Sequence, residues 1–186
     1  QIDERQYGSL KRSSTTHALL SFIHFLLNKS DEPKNVIRIF LLDFAKAFDH
    51  IDHNILLRKL SSMSVPQIII NWITNFLTGR EQRVKIGPCI SGWQKLNGGV
   101  PQGTVLGPIL FLVMINDLLE GWQDRWKYVD DTNVAECVGY NCPSHLQDVV
   151  NDITTWTINN NMKLNITKCK ELIINFAKDK RSFQPL

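Results

Sequence analysis

The hydrophobic pattern of this chain changes period several times, and each change marks an element. Leu19, Leu20, Ile23, Phe25, Leu26 and Leu27 predict a helix that Ser14 or Thr15 can cap and that runs to Asn28. A proline-containing turn at 31–35 follows. Residues 36–42 are an apolar run broken only by Arg38, short and rich in β-branched side chains, which predicts a central strand. Residues 45–50 predict a tight turn or short helix. Ile55, Leu56, Leu57 and Leu60 have helical spacing, and Pro66 opens a further helix to Leu77, closed by Gly79. Residues 82–86 and 93–96 read as one hairpin around GPCISG. Residues 104–122 predict the longest apolar helix, despite Gly107 and Pro108 in its first turns. Strands are predicted at 126–129 and 132–138, a helix over 143–161 carrying Leu146, Val149, Val150, Ile153 and Trp156, and short strands at Leu164 and 172–176. This order predicts an α+β fold, with helices against an antiparallel sheet.

Composition narrows the class. The chain has 186 residues, 43% hydrophobic and 21% charged, which suits one domain with a real core. A net charge of +3 favours an anionic partner only weakly. The positions of the charges say more: Lys11–Arg12, Arg58–Lys59, Arg80/Arg83/Lys85 and Lys178/Lys180/Arg181 form separate basic clusters. Each alone is a solvated surface; several flanking one acidic site suggest a nucleic-acid groove. Cys89, Cys137, Cys142 and Cys169 lack zinc-type spacing and read as free thiols of a reducing compartment. No apolar run reaches the ~18 residues of a membrane span. The polar start and the stop soon after residue 176 suggest a fragment of a longer protein.

Candidate chemistry sits where two apolar runs end in acid. Asp43 closes the first in LLDFAKAFD, and Asp130–Asp131 follow the second in YVDD. Neighbouring carboxylates repel unless cations neutralise them. Carboxylates gathered from strand ends can hold paired divalent ions that drive in-line attack on phosphorus. The bland alternatives are a polar strand terminus at Asp43 and an Asp-rich turn at Asp130–Asp131. Between them, Gly98–Gly103 (GGVPQG) lets the backbone approach a ligand, and Thr104 can cap the following helix. Neither GxxxxGK[ST] nor GxGxxG occurs, which disfavours a P-loop ATPase. The HxDH set of His50, Asp52 and His53 reads as a capped helix start rather than a second metal cluster.

DFAKAFD, GGVPQGTVLGPILFLVMINDL, YVDD and MKLNITKCK, in this order and spacing, resemble the reverse transcriptases of non-LTR (LINE-type) retrotransposons, nearest to the jockey-like group. QYGSLKRSSTTHALL also resembles a fingers segment of those enzymes. The resemblance covers essentially the whole chain. It implies a polymerase palm with partial helical fingers and no thumb. Residues 1–34 would be partial fingers, 35–52 palm with the first metal-binding motif, 53–98 fingers helices and hairpin, 99–178 palm with the nucleotide-binding and YVDD motifs, and 179–186 a tail toward the thumb. It further implies that Asp43, Asp130 and Asp131 are metal-binding and catalytic, with two Mg²⁺ ions that Mn²⁺ could replace. Phe44, Phe48, Gln102 and Gly103 would bind the nucleotide, Phe48 beneath the sugar where its bulk excludes a 2′-OH. Lys168 falls where a lysine protonates pyrophosphate, or serves simply as a counter-charge.

The implied partners are an RNA template, a DNA primer or nicked target DNA, and dNTPs, with no membrane. The implied location is intracellular, in nucleus and cytoplasm. Two departures stand out: Val129 where many relatives carry alanine, and Arg12 where glycine is common. The upstream phosphate-gripping fingers motif is also absent. A truncated or decayed remnant that binds nucleic acid weakly, and another palm polymerase such as an intron-maturase type or an RNA-templated RNA polymerase, remain the alternatives.

Overall fold

The computed structural model describes residues 1–176 and 181–186. Lys178 and Lys180 of the last basic cluster, and the expected boundary at 178/179, lie outside the described residues. In chain order the elements are α1 (Thr15–Ser30), β1 (Val36–Leu42), α2 (His53–Ser62), α3 (Gln67–Leu77), β2 (Glu81–Gln82), β3 (Lys85–Ile86), β4 (Cys89–Ile90), β5 (Gln94–Lys95), α4 (Leu106–Met114), β6 (Arg125–Tyr128), β7 (Asp131–Val138), α5 (Leu146–Asn159) and β8 (Lys170–Asn175). The chain divides into two compact units. One holds residues 46–115 together with Gln1; the other holds 2–45 and 116–186. Residues 2–34 therefore go with the sheet and 99–115 with the helices α2 and α3.

The second unit is built on one antiparallel sheet with strand order β6-β7-β1-β8. β1 is central, as its apolar run predicts, and alternation decides what covers it. Ile37 and Ile39 join Trp126 and Ala135 in a cluster closed by Phe22, Phe25 and Leu26 of α1. Arg38 faces the other way, where its charge is satisfied by Glu171 at 2.6 Å and by the Ser144 hydroxyl at 2.8 Å. That pairing is why a 4% exposed arginine is tolerated inside the run. Ser14 caps α1 by accepting from the His17 N–H. Glu136 prepares the start of α5 by accepting from the backbone of His145 and Leu146.

The first unit packs α2 against α3 and α4. Asp52 caps α2 by accepting from the N–H groups of Asn54 and Ile55, so the HxDH motif is a helix start. Two expectations need correction. α4 ends at Met114, eight residues short of Trp122. Lys59 Nζ takes the Met114 carbonyl at 2.7 Å, and beyond it the backbone turns left-handed at Leu119 and Gly121. The longest helix is α1, at 16 residues. The expected single hairpin is two short ladders, β2–β5 and β3–β4, whose registers differ by one residue. The returning strand carries one extra residue around Ser91–Trp93, a bulge that breaks the pairing.

Candidate active site

The site residues of the second unit arise from register. β1 and β7 pair antiparallel through Leu42↔Thr132, so the next residue of each strand, Asp43 and Asp131, lies at the same end of the ladder. β6 and β7 close on Tyr128↔Asp131, which leaves Val129 and Asp130 as a two-residue turn. Asp131 thus begins β7 rather than sharing the turn with Asp130, as the sequence had suggested. The two-residue geometry demands left-handed backbone, and Val129 supplies it at φ 56°. For a β-branched residue that costs on the order of 1–3 kcal/mol, a level of strain found mostly at functional sites.

Asp43 is held from the loop before β8. Its carbonyl accepts from the Asn165 N–H at 2.8 Å and from the Cys169 thiol at 3.7 Å. Its Oδ1 lies 4.0 Å from Lys168 Nζ, while Oδ2 is buried and accepts no hydrogen bond among the described residues. Partial burial, followed by the negative charges of Asp130 and Asp43, pushes the Asp131 carboxyl above its ordinary value, against the pull of Lys168. The three carboxylates therefore feel one another. Phe44, which the resemblance assigned to the nucleotide, is buried, its ring 6.1 Å from that of Trp156, with a backbone bridge to Leu164.

Among the described residues no set of three His, Cys, Asp or Glu side chains stands as a ready-made cage. Mg²⁺ does not require one, since it keeps several waters and is bound through one or two carboxylates plus substrate phosphates. A buried carboxylate oxygen without a donor, beside an acid raised by its neighbours, is the donor chemistry such an ion needs.

In the first unit the glycine-rich segment forms one wall of a cleft of about 550 Å³ lined by Lys46, Asp49, His50, Arg80, Gln102 and Gly98–Pro101. Gly99 sits at φ 73°, and its N–H donates to Ile51 O at 2.8 Å. A methyl group there would come within 3.1 Å of the Asp49 and Phe48 backbone. Arg80 and His53 both bond the Gly99 carbonyl at 2.8 Å, so Arg80 is structural rather than a free phosphate contact. Gln102 is exposed and donates to Asp49 at 3.1 Å. Gly103 follows at φ 75° in open space. Phe48 is half-buried and stacks on Phe111, with centroids 4.6 Å apart and planes 21° apart. The Thr104 hydroxyl accepts from the Gly107 N–H.

The sequence reading missed an ion cluster beneath the YVDD turn. Asp3 pairs with Arg125 and with the fully buried Lys127, both at 2.8 Å. Burial works against ionising Asp3, but hydrogen bonds from Arg125 and Lys127 outweigh it and hold the carboxyl at about 2. The only trace in sequence was a lysine inside a strand pattern, between Trp126 and Tyr128.

Known proteins resemble the chain in sequence and in fold. The family model for reverse transcriptase (RNA-dependent DNA polymerase) matches residues 1–184. The RNA-directed DNA polymerase from the mobile element jockey of Drosophila funebris is 30% identical over 95% of this chain and 20% of its own length. Its counterpart in Drosophila melanogaster is 28% identical over 90% of this chain and 19% of its own length. The chain therefore spans about a fifth of these relatives. A Candida tropicalis telomerase, solved with a fragment of telomeric RNA, superposes with a TM-score of 0.69 at 16% identity, covering 96% of this chain and 32% of its own. That likeness shows the fold, a polymerase palm. A family match across nearly the full length, on a sheet that brings the three motif aspartates to one end, decides membership: the chain belongs to the reverse transcriptase (RNA-dependent DNA polymerase) family.

Proposed function

We propose that this chain forms the polymerase centre of an RNA-directed DNA polymerase of a non-LTR mobile element, working on nucleic acid inside the cell. It extends a DNA primer, or the 3′ end of nicked target DNA, with dNTPs on an RNA template. The observation that supports this is the register that sets Asp43 and Asp131 at one end of the β1–β7 ladder, with Asp130 in the adjoining turn and Asp43 Oδ2 buried and unbonded among the described residues. These three residues would hold two Mg²⁺ ions, or Mn²⁺ in their place. When bound, such ions lower the pKa of the attacking hydroxyl and offset charge on the transferred phosphoryl group.

The chain's own residues do the rest. Asp43 and Asp131, fixed at paired strand ends, present oxygens with little freedom to reorganise. The Asp131 carboxyl is pushed above its ordinary value by burial and its acidic neighbours, so a nearby cation would favour its ionised form. Lys168, 69% exposed at its side chain, balances triphosphate charge and can give a proton to pyrophosphate. Phe48, held flat by Phe111, is a wall against a 2′-OH. Gln102 and Gly103 touch the nucleotide and template.

Primer extension on an RNA template tests this reading. The expected result is metal-dependent DNA synthesis that Asp130→Asn abolishes while template binding, which rests on basic residues, stays near wild type. Phe48→Ala is expected to admit ribonucleotides. No extension with either Mg²⁺ or Mn²⁺, or unchanged sugar selection in Phe48→Ala, would contradict the proposal.

A further inference from the structure

The catalytic turn is not held by its own hairpin alone. The segment before α1 runs alongside β6 as a short parallel bridge at Gln6 and Lys127. The Lys127 N–H donates to Arg5 O at 3.0 Å, and the Tyr7 N–H donates to Lys127 O at 2.8 Å. From this bridge the Gln6 side chain, in a residue only 4% exposed, reaches the turn itself. Its Oε1 accepts from the N–H of Val129 at 3.1 Å and from the N–H of Gly8 at 2.8 Å. Its Nε2 is buried without a partner among the described residues. A fold does not bury an amide with an idle donor unless the acceptor end earns the burial.

Gly8 closes the other side. A methyl group there would stand 2.6 Å from both Cγ2 and N of Val129 and 3.1 Å from the Tyr128 carbonyl carbon. The backbone of residue 8 therefore lies directly on the left-handed valine. That valine most needs such support, because φ 56° is a conformation a β-branched side chain rarely keeps unaided.

We infer that Gln6 is a positioning residue: its side-chain oxygen locks the Val129 amide and so keeps Asp130 and Asp131 aimed at the end of β1, with Gly8 as the close-fitting backstop. This rests on the polymerase reading for its catalytic consequence, but the lock itself is a property of the fold. The two parts can be measured separately.

The experiment uses Gln6→Met, which keeps length and loses the acceptor, and Gln6→Glu, which keeps an accepting oxygen. Amide hydrogen exchange at Val129 reads the lock directly. Gln6→Met is expected to speed exchange there by about fivefold or more, the scale of one ordinary hydrogen bond, while Ile39 in the sheet centre is unchanged. In primer extension, Gln6→Met is expected to lower kcat by about tenfold or more with little change in KM for dNTP, since a small misplacement near reacting groups costs rate. Gln6→Glu is expected to restore most of both. Gln6→Met is then repeated in a Val129→Gly background, where left-handed backbone is unstrained; the loss in kcat should shrink. Unchanged Val129 exchange in Gln6→Met, or an equal kcat loss in both backgrounds, would overturn the inference. If wild type extends no primer, the polymerase proposal fails, and Val129 exchange still decides the lock.

Discussion

Among the segments that use left-handed backbone, the glycine-rich loop and the YVDD turn reach it differently. The Gly98–Gly103 segment reaches φ 73° at Gly99 and φ 75° at Gly103 with residues that adopt it freely. The YVDD turn reaches φ 56° with a valine. The first is held by the Arg80 and His53 side chains on the Gly99 carbonyl and by backbone bonds from Gly99 to Ile51 and from Val100 to Phe48. The second is gripped by Gln6, crowded by Gly8 and underlain by the Asp3–Arg125–Lys127 cluster. Glycine reaches this backbone without strain, whatever holds the segment around it. A turn that reaches it with a valine depends on its surroundings to stay there.

The sharpest way to break this contrast is to remove a carboxylate. Asp43→Asn or Asp130→Asn is expected to lower the primer-extension rate by roughly 10²–10³-fold or more, the scale of losing one preorganised electrostatic contact, while circular dichroism stays native. Next comes the support under the turn. Asp3→Asn leaves the buried Lys127 and Arg125 without that counter-charge and is expected to cost roughly 3 kcal/mol in urea unfolding at neutral pH. The sign with pH follows from an acid whose folded value lies below its unfolded one. The benefit, about 2 kcal/mol, is complete above the unfolded value of 3.8 and is lost as pH falls toward about 2. Acid unfolding of wild type should therefore show this loss, and Asp3→Asn should not.

The glycine loop sharpens the comparison at smaller scale. Gly99→Ala meets backbone atoms of Asp49 and Phe48 and is expected to cost roughly 2–3 kcal/mol. Gly103→Ala meets nothing within 4 Å and should cost about 1 kcal/mol, the left-handed penalty alone. Equal costs in thermal unfolding would mean that the close approach at Gly99 carries no weight. The smallest effect is at Asp131, whose raised carboxyl makes its ionised form the unfavourable one in the fold. Asp131→Asn should raise the melting temperature at neutral pH by no more than about 2 °C, since this site is solvent-screened. The gain should vanish as pH falls into the range where Asp131 itself is protonated.

Much of this was legible in sequence, for a physical reason in each case. The central strand showed itself because both faces of β1 are covered, so its apolar run is continuous. The three aspartates were visible because charge beside a buried run is costly without a use. What failed to show was pairing at a distance. Nothing in LLD or YVDD states that Leu42 stands opposite Thr132, and that register is what joins the motifs. α4 was overextended because apolar residues continue past Met114 while Lys59, 55 residues away, takes the carbonyl that would have carried the helix on. Gln6 stands unremarked within the fingers-like QYGSLKRSSTTHALL, since its contact with the turn depends on a parallel bridge to Lys127 that no local pattern encodes. Arg12 likewise sits at φ 67°, a left-handed backbone that the polar residues around it do not signal.

The account depends on the three carboxylates acting as one cation site, and Mn²⁺ binding followed by electron paramagnetic resonance tests it most directly. The account predicts that the wild-type chain binds Mn²⁺, that Mg²⁺ displaces it, and that Asp43→Asn and Asp130→Asn each weaken binding by at least about tenfold with the fold intact. Equal Mn²⁺ affinity in wild type and in both variants would contradict it.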